Sequence, residues 1–146
     1  MKAKTTFWTV QKNGGISRID FCKSNPVKST YEMLWGHIKR TATNPKLEDQ
    51  SHIQNTMRRI LEHYFAVYGQ IPLKDLPMEL DVADRPIAKS LLAWVNDGSH
   101  SSFDDIYYTP PIADGVERYL SIFRIIFEKT GHIAHYNMMM GIQDGD

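Results

Sequence analysis

The chain has 146 residues, 42% of them hydrophobic and 11% aromatic, with 17 basic and 17 acidic side chains and a formal net charge of zero. Such a composition suits one globular domain with a real core and excludes a disordered chain or a strongly basic nucleic-acid binder. The lone Cys22 excludes an internal disulfide, and no apolar run reaches the roughly 18–20 residues of a membrane span, so a soluble, cytoplasmic protein is expected.

The N-terminal stretch alternates: Phe7, Thr9 and Gln11 fall on one side, Trp8, Val10 and Lys12 on the other. Asn13-Gly14-Gly15 then turns the chain into a second alternating run, "ISRIDF", which predicts a β-hairpin. Because a lone hairpin is marginal, these strands are expected to pack on helices or to extend another sheet, as the remnant edge of a larger one. Asn25-Pro26 marks a loop, and a helix is predicted from Thr30 through Ile38, stopping before Asn44-Pro45. A second helix is read from a capping box, Ser51 with Gln54, and a stripe of Ile53, Met57, Ile60, Leu61, Tyr64 and Tyr68. The third is capped by Asp84 and buries Ile87, Leu91, Trp94 and Val95. The fourth is capped by Thr109, opened by Pro110, lined by Ile112, Val116, Tyr119, Leu120, Phe123 and Phe127, and stopped at Gly131. A short last helix holds Ile133, Tyr136 and Met138 to Met140. The fold class is therefore mainly α: a bundle of four to five helices behind a hairpin, divided at 1–24 and 25–146.

Polar residues on the second helix raise the functional question. At about 100° per residue, Arg58 lies roughly 110° and Glu62 roughly 150° from the centre of the apolar stripe. One reading is a solvated i,i+4 ion pair worth about 0.3–0.5 kcal/mol. The other joins them to His100, in the loop after the third helix. Arg fits a phosphoryl group, His moves protons near neutral pH, and Glu orients either; with the 2′-OH of RNA as nucleophile, the trio needs no metal. Other constellations are weaker. "HIAH" at 132–135 has too few partners for zinc, "KNGGIS" lacks the P-loop frame, and Ser99-His100 adjacency is not a triad. No cofactor and no metal are expected.

The order "NPVKSTYEMLWGHIK", "NTMRRILEHYF" and "NDGSH" resembles the C-terminal part of the ABC-type AAA ATPases related to the PrrC and RloC anticodon nucleases, over about residues 5–130. That resemblance implies a HEPN-like ribonuclease module, controlled by an ATPase, acting on RNA with tRNA as the candidate target, and paired as a homodimer. It puts the catalytic Arg-x-x-x-Glu…His set on Arg58, Glu62 and His100, with Asn55, Arg59, Asn96 and Ser99 in RNA-binding or supporting roles. The chain departs from the family in having no Walker A, ABC signature or Walker B sequence, so an endoribonuclease without ATPase activity is expected. The alternative is a non-catalytic docking domain or inactive remnant of an ATPase-linked defence system.

Overall fold

A computed structural model describes residues 5–93 and 114–143. The hairpin pairs β1 (Phe7–Asn13) with β2 (Ile16–Cys22) antiparallel. Gly14 and Gly15 form its two-residue turn at φ +57° and +87°, the left-handed values that let a tight turn follow the strand twist. The register sets Trp8 opposite Phe21 and Val10 opposite Ile19, so four apolar side chains share one face.

The rest of the described chain is helical. It comprises α1 (Thr30–Thr43), α2 (Gln50–Tyr64), α3 (Arg85–Leu92), α4 (Gly115–Lys129) and α5 (Ile133–Met140), with 3-10 turns at Pro45–Leu47 and Leu73–Glu79. The architecture is thus mainly α with an N-terminal hairpin. The core lies among the helices: Trp35 and Ile38 of α1, Ile53, Met57, Ile60 and Leu61 of α2, Leu91 of α3, and Tyr119, Phe123 and Phe127 of α4 are all buried. No described helix is long and apolar enough to cross a membrane.

Three local details differ from the pattern reading. The capping box belongs to α1, where Ser29 accepts from the Glu32 amide while Glu32 reaches back to the Ser29 amide at 2.8 Å. On α2 the cap is Asp49, whose carboxylate takes the Ser51 and His52 amides, so the helix starts before the expected Ser51. Past Tyr64 the backbone opens into a π-helical turn, Phe65–Gly69. The wider turn shifts the angular positions of its residues, so Phe65 enters the core while Tyr68, expected on the stripe, is 66% exposed. Trp94, Val95, Thr109, Pro110 and Ile112 lie outside the described residues.

Gly69 makes the π turn possible, because a Cβ there would collide with the Phe65 ring. Gly69→Ala should therefore destabilise the chain by about 1–3 kcal/mol, as overpacking does. A urea midpoint no lower than that of the wild type would show that the Phe65 ring can move freely.

Candidate functional site

The α2 residues singled out by pattern do form a local set. Arg58 Nε lies 3.5 Å from Glu62 Oε1, and Arg58 Nη2 donates to Asn55 Oδ1 at 3.0 Å. The Arg58 side chain is 18% exposed and Glu62 40%, so Arg58 is more enclosed than a wheel diagram suggests. Its stem runs along the helix with the charged end turned to Asn55 and Glu62. At 3.5 Å the Nε–carboxylate contact is Coulombic, and Nε has no aligned hydrogen-bond acceptor. Arg59 is exposed beside this set. His100, Asn96 and Ser99 lie outside the described residues, so the trio with His100 has no geometry here.

A second set was not anticipated. His37 on α1, Glu48 after the 3-10 turn and His52 on α2 bring one nitrogen or oxygen each to within 4.8 Å of one another. Glu48 Oε2 is 2.9 Å from His37 Nε2, and Glu48 Oε1 is 3.0 Å from His52 Nδ1. The two imidazole rings lie 4.5 Å apart between centroids. Thr56, one turn on from His52, places its hydroxyl 2.7 Å from His37 Nδ1. The available signal was Glu48-x-x-x-His52, an i,i+4 pair astride the Asp49 cap; a search for two histidines on one helix overlooks a set split across two. The expectation of metal-independent chemistry is corrected by this cluster, whose donors suit a metal ion.

The carboxyl of Glu48 is held below the usual range, chiefly by the His37 ring and less by His52, against the opposing effect of burial. Asp49 is held down by the Ser51 hydroxyl and then by the His52 amide. A carboxyl whose pKa is lower in the fold stabilises it above the unfolded pKa, and that contribution disappears as pH falls through the folded value. Stability should therefore drop below about pH 4. Glu48→Gln should melt below wild type at pH 7 and close part of that gap at pH 3; a gap unchanged between the two would remove Glu48 from the acid response.

A third polar group is structural. Tyr31 meets His135 Nε2 at 2.7 Å and Tyr64 meets His132 Nδ1 at 2.9 Å, tying α5 and the loop before it to α1 and α2. Burial pushes the Tyr31 hydroxyl up to about 12 and lowers His135, so this pair is uncharged at neutral pH and fits the aromatic core around it.

A mainly α domain with a projecting hairpin and polar clusters on α1 and α2 is compatible with several classes of protein, and comparison narrows them. The chain belongs to the AAA domain family, whose sequence profile matches residues 1–128. No curated protein and no solved structure matches. The match corrects the expected assignment: nearly the whole chain is AAA domain, in place of a separate HEPN-like module carried behind one. The ribonuclease and anticodon-nuclease reading falls with that assignment, and so does the expectation of no ATPase activity.

Proposed function

We propose that this chain is the helical portion of an AAA-type ATPase and docks through its hairpin onto a nucleotide-binding core. The observation that carries the reading is the apolar hairpin face. Trp8 and Phe21 pack edge to face at 5.2 Å, yet are 57% and 56% exposed, and Val10 and Ile19 beside them are more exposed still. Four neighbouring apolar side chains in water on a two-stranded sheet constitute a surface built for a partner.

Family membership argues for the kind of partner. P-loop ATPases hold the β- and γ-phosphates in a G-x-x-x-x-G-K-[ST] loop between a strand and a helix. No such run occurs in this sequence, so the phosphate-binding loop comes from a different polypeptide segment. Cores of that type are sheets, and a hairpin with a free edge and an apolar face can pair with or pack against one.

Site-specific photocrosslinking tests the reading. With a benzophenone side chain at Val10, introduced into the protein in its own cells, the captured segment should carry a P-loop sequence. Capture of a second copy of this chain, of a protein without that loop, or of nothing would each reject it.

A further inference from the structure

The His37–Glu48–His52 cluster plays no part in the hairpin contact, and its hydrogen bonding points to a ligand. Thr56 Oγ1 donates to the His52 carbonyl at 3.1 Å, as its position one turn on allows. The same hydroxyl lies 2.7 Å from His37 Nδ1, where it accepts from one His37 tautomer or donates to the other. In the tautomer that carries its proton on Nδ1, the lone pair of neutral His37 is on Nε2. Nε2 is buried, has no aligned hydrogen-bond partner, and stands 2.9 Å from a Glu48 carboxylate oxygen. In that tautomer two acceptors face each other, and the repulsion is relieved by a proton on Nε2 or by a metal ion held between the groups. On the other side of the carboxylate, His52 Nδ1 hydrogen-bonds Glu48 Oε1 at 3.0 Å, so it gives up that proton when it ligates.

We propose that His37, Glu48 and His52 bind a divalent transition-metal ion of the zinc class, with one coordination position left to water. Two imidazoles and a carboxylate are borderline donors suited to zinc, cobalt or nickel, and too rich in nitrogen for magnesium or calcium. Three protein ligands with an open fourth position form a familiar zinc arrangement. Metal–ligand distances of about 2.0–2.2 Å place tetrahedral donors about 3.3 Å apart, so ligands now within 4.8 Å close on the ion by a shift of roughly an ångström. The His52 side chain can make that shift, since it is 66% exposed and opens the site to solvent. The outer contacts are already present. Thr56 orients His37 through Nδ1, and Thr41, which donates to the His37 carbonyl at 2.9 Å, lies 3.4 Å from Glu48 Oε2. Asp49 is not a fourth ligand, because its carboxylate caps α2. The bound ion would clip α1 to the start of α2 across the 3-10 turn.

Cobalt(II) is the probe, because its four- and five-coordinate complexes absorb visible light. The full chain, stripped with chelator, should bind one cobalt with visible d–d bands and release it to one equivalent of zinc. Glu48→Gln and His52→Ala, whose side chains lie at the solvent edge of the site, should keep the helical circular dichroism of wild type while losing about a hundredfold or more in affinity. Thr56→Val should lose about 10–100-fold, the usual effect of removing an orienting partner. The proposal is overturned if a metal titration carried to excess shows no binding, or if Glu48→Gln and His52→Ala bind as wild type does, which would put the ion elsewhere on the chain. Nitrogen-15 spectra showing both His37 ring nitrogens protonated with zinc present would overturn it as well, assigning the cluster to a plain imidazolium–carboxylate pair.

Discussion

Trp35→Ala should destabilise the chain by about 4 kcal/mol. Trp35 is buried on α1, and its ring lies 5.3 and 5.6 Å from Phe123 and Phe127 of α4 and 5.9 and 5.7 Å from His135 and Tyr136 of α5. Through it α1 meets both C-terminal helices. Truncation removes an indole's worth of apolar burial and leaves a cavity walled by four rings, which are too rigid to collapse into it. Domains of this size have about 5–15 kcal/mol of stability in all, so the loss is a large fraction of the total and should lower the urea midpoint markedly. A urea midpoint within about 1 kcal/mol of wild type would mean that α4 and α5 are held to α1 by something other than this aromatic cluster.

The paired substitution Trp8→Ser with Phe21→Ser should have the opposite profile. Both rings are more than half exposed and pack on each other, so removing them costs the helical core nothing and weakens only the hairpin. The urea midpoint of the helices should stay within about 0.5 kcal/mol of wild type, as for other surface changes. Retention of the nucleotide-binding partner should fall about thirtyfold or more, because large aromatic anchors supply most of the energy of such contacts. A double variant that unfolds with the helices, or that retains its partner undiminished, would remove the hairpin face from the docking account.

Much of this was legible in the sequence where one periodicity ran without interruption. The alternation on either side of Asn13-Gly14-Gly15 yields the hairpin, while its register, with Asn13 paired to Ile16 across a two-residue turn, comes from the structure. The 3.6-residue stripe yields five buried residues of α2, Ile53 through Tyr64. Legibility ends at Tyr64, because a π turn changes the residues per turn and no residue type announces it; Phe65 and Tyr68 exchange roles there. The capping box was ambiguous for another reason. Ser51 and Gln54 have the right spacing, but Asp49 lies two residues earlier and captures the Ser51 and His52 amides.

The clusters show a similar division. Arg58 and Glu62 could be read as neighbours because both lie on one helix, where spacing is geometry. His37, Glu48 and His52 could not, because their meeting depends on how the 3-10 turn at Pro45–Leu47 folds α2 back along α1. The AAA resemblance was visible in short motifs, but the assignment to a separate HEPN-like module failed for a third reason. The chain lacks the phosphate-binding loop by which an ATPase is ordinarily found, and its membership is carried by the run of residues 1–128 as a whole.

The chain's proposed role is to work as part of an ATPase through its hairpin. It is tested most directly by following ATP hydrolysis through gel filtration of complexes purified from the native cell by a tag on the C-terminus of this chain. Hydrolysis should elute with the wild-type chain and be lost from the fractions containing the Trp8→Ser, Phe21→Ser variant, while that variant remains folded. If the wild-type chain elutes apart from any ATP hydrolysis, or if hydrolysis elutes equally with the variant, the account is contradicted.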